Sequence, residues 1–211
     1  MNENDLIDTR RSLHAVAELI MAGPQYRGSG TIRLRVTPGG FATVAAPVLR
    51  VEGGELLTGD ERVPLNGTSL RALGTAAGVT PGAPENLYSD GSGASLDDVL
   101  RVDADAAARL AESLAHGDAA LRELVPGEIP VLWPEHFDLG ISVDKVNYGV
   151  SLGDGYIPVP YAYVGPWEPR SGPFWNAPFG AARPLGEVPD LLAFFAEGRE
   201  RAAAPESTMG A

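Results

Sequence analysis

The chain has 211 residues, 44% hydrophobic and 21% charged, the balance of a folded protein with enough interior for a core. Its formal net charge of −12, from 16 basic and 28 acidic residues, argues against nucleic acid or anionic membrane as partner, because both select basic faces. It has no cysteine, which excludes disulfides, thiolate nucleophiles and zinc–cysteine sites.

The opening residues Met1-Asn2-Glu3-Asn4-Asp5 lack the basic and apolar regions of a secretory signal, and no run approaches the roughly 18 apolar residues of a spanning helix. A cytoplasmic location is the expectation. Residues 5–22 read as a helix, with Leu6, Leu13, Val16, Leu19 and Ile20 near the 3.6 period and Gly23-Pro24 as its stop. Residues 31–65 read as an antiparallel meander. Ile32, Leu34 and Val36 alternate with Arg33, Arg35 and Thr37, and Pro38-Gly39-Gly40 and Gly53-Gly54 mark turns. Thr68 is placed to cap a short helix to about Ala77.

Residues 78–95 are rich in Gly, Pro, Ser and Asp, long for a connection inside one domain, and so either a functional loop or a hinge. Asp103 is placed to cap a long helix to Leu124, striped with Ala107, Leu110, Leu114 and Leu121. Residues 129–164 read as strands again. Pro189 suits the first turn of a last helix carrying Leu191, Leu192, Phe194 and Phe195, and residues 200–211 read as a frayed tail. The fold class expected is α+β: antiparallel meanders forming one sheet or a partly closed barrel, helices on one side. Residues 1–199 form one domain, or two helix–meander–helix halves (1–77 and 103–199) joined by 78–102.

The segment Phe137–Leu152 carries the most chemistry. Alternation along a strand puts Phe137, Leu139, Ile141 and Val143 on one face and His136, Asp138, Gly140 and Ser142 on the other. Pairing Val143 with Val146 across Asp144-Lys145 sets Gly140 opposite Gly149, Ser142 opposite Asn147 and Asp138 opposite Ser151. A one-residue slip would mix the faces. Asp-Lys is not a usual pair for a two-residue turn, and a wider four-residue loop keeps the same pairing. The facing glycines leave a dent that a ligand, an aromatic ring or another piece of chain can fill.

His136 and Asp138, two residues apart, have the spacing of a proton-transfer pair or of two metal ligands, with Asp154 or Asn147 as a third. The dense spacing of recognised metal motifs is absent. Glu135 is a third candidate acid or base, and Trp133 reads as a core anchor. Twelve of the fifteen aromatic residues lie between Trp133 and Phe195. Tyr161 and Tyr163 share a strand face, and Trp167 and Trp175 follow in Gly-Pro-rich segments, a composition suited either to a pocket wall or to rings packed on helices. No cofactor motif is present: Gly28-Ser29-Gly30 lacks the Lys-Ser/Thr of a phosphate loop.

Leu132-Trp133-Pro134-Glu135-His136-Phe137-Asp138-Leu139 with Pro160-Tyr161-Ala162-Tyr163 resembles segments of uncharacterised bacterial families of high-GC, actinobacterial-type genomes. The resemblance implies a bacterial protein and transfers no catalytic residue. The leading functional expectation is a non-enzymatic protein that binds a small molecule over the polar face of 136–151, through Ser142, Asn147, Ser151, Tyr161, Tyr163, Trp167 and Trp175. The alternatives are a hydrolase or isomerase with His136 as acid/base oriented by Asp138 or Glu135, and an acidic protein-interaction module.

Overall fold

The first helix does not stop at Gly23-Pro24. In the computed structural model, which describes residues 3–204, helical backbone runs through α1 (Glu3–Ala15), a π-helical stretch (Val16–Ala22) and α2 (Gly23–Ser29). A proline inside a helix leaves one carbonyl without its donor. Here the wider π turn bonds the Gly23 N–H to the Glu18 carbonyl, five residues back. In that register Pro24 would face the Leu19 carbonyl, which instead accepts the Gly82 N–H at 2.9 Å.

The strands are β1 (Leu34–Thr37), β2 (Gly40–Thr43), β3 (Leu49–Glu52), β4 (Glu55–Thr58) and β5 (Glu61–Pro64), then β6 (Val131–Trp133), β7 (Asp138–Val143), β8 (Val146–Ser151), β9 (Tyr161–Pro166) and β10 (Ala181–Pro184). They form one ten-stranded sheet in the order β10-β9-β8-β7-β6-β1-β2-β3-β4-β5, every pair antiparallel. The sheet is open, not a barrel, with β5 and β10 at its edges. Each half is a five-stranded meander, and the two join where Leu34 of β1 pairs with Leu132 of β6.

One face carries the core: Leu34, Phe41, Val51 and Leu56 from the first half, and Leu139, Val150 and Val164 from the second. It is covered by the π-helical stretch, by α4 (Ala104–Leu124), which crosses both halves, and by α5 (Leu191–Ala203). Gly117 sets the depth of α4, since a Cβ there would lie 2.8 Å from a Val150 methyl. Val146 and Val150 are buried. A one-residue slip of β8 would expose both, costing about 3–6 kcal/mol at ~1.5–3 per side chain. No helix among the described residues is long and apolar enough to cross a membrane.

Several boundaries move from their sequence positions for local reasons. Ser69, not Thr68, caps α3 (Leu70–Ala76) by accepting from the Ala72 N–H, whereas the Thr68 hydroxyl donates to the Pro64 carbonyl. Asp103 caps α4 through the Ala106 N–H. Asp190 caps α5 through the Ala193 N–H, so Pro189 precedes the helix and is not in its first turn. The helix α5 continues to Ala203, into the segment read as frayed; the remainder from 205 lies outside the described residues. The 78–95 loop is pinned to the first half. Buried Glu18 of the π-helical stretch accepts from the Ser92 N–H at 2.7 Å and from its hydroxyl at 2.5 Å.

Candidate functional site

The hairpin β7–β8 adopts the register that alternation predicts, with Gly140 opposite Gly149, Ser142 opposite Asn147 and Asp138 opposite Ser151. Of the two turns compatible with this pairing, the two-residue one forms. Asp144 and Lys145 both take left-handed φ angles, 52° and 61°, so Val143 and Val146 close directly on a two-residue turn whose twist matches the strands. Trp167 N–H bonds the Lys145 carbonyl at 2.9 Å.

The dent left by the two glycines is filled by the protein itself. Tyr163 of β9 pairs with Gly149 and lays its ring over both. A Cβ on Gly149 would stand 2.4 Å from the Tyr163 Cζ and hydroxyl, and one on Gly140 2.9 Å from that hydroxyl. Only glycine at these positions lets the phenol reach Asp138, whose Oδ2 accepts from the Tyr163 hydroxyl. Tyr161, on the same face, donates to Asp154 Oδ2 at 2.7 Å. The other Asp154 oxygen caps a turn by accepting from the Tyr156 and Ile157 N–H groups at 2.7 and 2.9 Å.

Burial sets the protonation of these pairs. It pushes the Asp138 carboxyl up, against the Tyr163 hydrogen bond and His136, which both pull it down. Burial and the adjacent carboxylate together hold the Tyr163 phenol well above its ordinary value. Burial, with the Asp154 bond, also raises Tyr161. The phenols therefore keep their protons and act as donors to the carboxylates.

Around these pairs lies a cleft of about 700 Å³, within the usual range for small-molecule sites. Its floor is Asp138, Asn147, Ser151, Tyr161 and Tyr163, and its walls are the end of β9 with the loop that follows it to residue 170, and the 177–180 turn. Asn147 links floor to wall, accepting from the Ser142 hydroxyl and from the Trp167 indole at 3.2 Å. Trp167 is 64% exposed at the mouth. Arg170 also lines the cleft and anchors its loop to α5 through the Ala202 carbonyl at 2.8 Å.

Of the residues singled out by sequence, His136, Asp138, Asn147, Ser151, Tyr161, Tyr163 and Trp167 meet at this cleft, while Glu135, Ser142 and Trp175 do not line it. Trp175 packs edge-on against Phe174 on the core side, ring centroids 4.8 Å apart, because the 174–176 turn directs its ring inward. The wall expected there is built by Ala177–Gly180 instead. Ser142 lies one step along the same face, in an adjoining recess.

His136 is not on a strand. Residues 134–137 form the β6–β7 turn, with Phe137 at φ 52°, so the alternation that would align His136 with Asp138 breaks between them. Phe137 instead stacks on His14, ring centroids 5.4 Å apart, and His14 Nε2 lies 2.8 Å from the Pro134 carbonyl. Burial lowers the His14 pKa, favouring a neutral ring that donates to this carbonyl. His136 projects outward, exposed, and among the described residues it makes no hydrogen bond with Asp138 or Glu135. Glu135 does not line the cleft but borders the adjoining recess, and its buried Oε2 has no hydrogen-bond partner among the described residues. Among the described residues no group of three or more His, Asp or Glu side chains gathers as a metal site.

Sequence reading missed Arg170 and Phe179 as cleft residues. Phe179 carried a signal, its place in the aromatic Gly-Pro run; Arg170 carried none. Trp133, expected as a core anchor, is half-buried: it packs against the core and also borders the recess on the open face, opposite Asp138 in the register. No family model, curated protein or solved structure matches the chain.

Proposed function

We propose that the protein binds a small organic ligand in the cleft over the β7–β9 face, with Trp167 as the principal contact. The observation that carries this reading is where the exposed aromatics stand. Tyr156, Trp167 and Phe179 are the aromatic side chains prominent among the exposed large hydrophobics; Trp167 and Phe179 line the cleft, and Tyr156 packs edge-on against Phe179 at 5.6 Å. Large rings left in water at one concave place mark a recognition surface. The floor beneath is pre-organised, since Asp138 and Asp154 are each held by a tyrosine, which lowers the ordering cost of binding.

The hydrolase or isomerase reading draws less support, because its acid–base pair requires His136 bonded to a carboxylate, and Asp138 is bonded to Tyr163. An acidic interaction module calls for a flat face, and at this face Asp138 and Asp154 line a recess, each bonded to a tyrosine. The test is a thermal-shift screen of a metabolite panel followed by tryptophan-fluorescence titration of wild type and Trp167→Ala. The expected result is at least one saturable ligand whose affinity falls about tenfold or more in Trp167→Ala, a loss of about 1.4 kcal/mol, with little change in melting temperature. A screen without hits, or hits indifferent to Trp167→Ala, overturns the reading.

A further inference from the structure

The cleft does not end at Asp138. A second recess of about 450 Å³ shares His136, Asp138, Asn147 and Tyr163 with it and continues over β7 and β6 to Trp133 and Arg33. The two form one trough running across the strands from β9 to β6, about 14 Å at the ~4.8 Å spacing of neighbouring strands. Its ends are both marked by tryptophans: Trp167, exposed, at one, and Trp133, with the Arg33 guanidinium 5.8 Å from its ring centre, at the other. Ile129, 69% exposed, adds apolar surface at the Trp133 end.

The chemistry of the trough narrows its occupant. Arg33 and Arg170 lie at opposite ends, and the carboxylates of Glu128, Glu135, Asp138 and Asp154 line the trough between and beside them, so acids outnumber bases, anionic ligands are disfavoured and no basic cluster is present for phosphate or nucleic acid. The main-chain groups of β6 to β9 are committed to the sheet. An extended peptide, which seeks a strand edge for its amides, finds side chains only. What the trough offers is aromatic faces spaced along a row of hydroxyl, amide and carboxylate groups. That suits a neutral chain with apolar C–H faces and many hydroxyls. Building on the ligand-binding reading above, we propose that the occupant is a neutral oligosaccharide of two or more sugar units, stacked on Trp167 at one end and on Trp133 at the other.

The test is a glycan array of neutral and acidic oligosaccharides, followed by fluorescence titration with the best neutral sugar from the monosaccharide to the tetrasaccharide. Wild type, Trp133→Ala and Trp133→Phe are compared, with circular dichroism to verify that each variant is folded. The expected result is affinity rising about tenfold or more with chain length, a length dependence that Trp133→Ala removes and Trp133→Phe keeps. A monosaccharide bound as tightly as its oligomers, or a length dependence untouched by Trp133→Ala, overturns the proposal. So does binding of non-carbohydrate metabolites at Trp167 with every glycan inert, and that outcome leaves the small-ligand reading standing. Failure of glycans and metabolites alike removes both.

Discussion

The two halves of the sheet share an architecture and differ in what they do with the open face. In the first half that face is filled by surface ion pairs: Arg50 with Glu52 at 2.5 Å and Arg62 with Glu55 at 3.0 Å, all with side chains a third or more exposed. Pairs of this kind contribute little and specify little. In the second half the corresponding face carries facing glycines, hydrogen-bonded phenol–carboxylate pairs and exposed aromatics. A five-stranded meander needs only one apolar face to fold. The other face is free to be solvated, as in the first half, or to be built, as in the second.

Substitutions sharpen this contrast, the largest effect first. Gly149→Ala places a Cβ 2.4 Å from both the Leu139 carbonyl and the Tyr163 ring. It is expected to cost about 1–3 kcal/mol in chemical denaturation and to displace Tyr163 from Asp138. An unchanged midpoint would show that the glycine pair is incidental.

Asp138→Asn gives a smaller effect with a pH signature. Burial raises the Asp138 carboxyl, so between the ordinary carboxylate range and that raised value the folded chain holds a proton that the unfolded chain has released. This group's stabilisation is full below the ordinary value and is lost as pH rises through the raised one. Wild type should therefore lose stability relative to Asp138→Asn as pH climbs through that window, measured by denaturation at successive pH values. Parallel curves for the two proteins would place Asp138 in solvent. The smallest effect is expected in the first half: Arg50→Ala should change stability by about 0.5 kcal/mol or less and leave ligand titrations unchanged.

Much of this was legible in the sequence, for reasons that individual residues make plain. The register of β7 and β8 was legible because the apolar positions from Leu139 to Val150 admit one pairing without exposing core. The shared face of Tyr161 and Tyr163 followed from the same alternation. The filling of the Gly140–Gly149 dent by Tyr163 was not, because β8 and β9 are joined by the irregular 152–160 segment, whose residues do not announce the register that sets Tyr163 opposite Gly149. The His136–Asp138 alignment failed at Phe137, where a left-handed φ at a bulky residue is held by stacking on His14 from a distant helix. The π-helical stretch was hidden too, since the donor that satisfies the Leu19 carbonyl comes from Gly82.

All three tryptophans lie in the second half, and each has a different fate: Trp167 at the mouth of the cleft, Trp133 at the far end of the trough and Trp175 against Phe174 on the core side. The most direct measurement is therefore an ¹⁵N correlation spectrum of the three indole N–H groups during titration with the best ligand. The Trp167 signal is expected to move and saturate, Trp133 to join it when the ligand is long, and Trp175 to stay in place. Movement of Trp175 with Trp167 silent would contradict the cleft as the binding site.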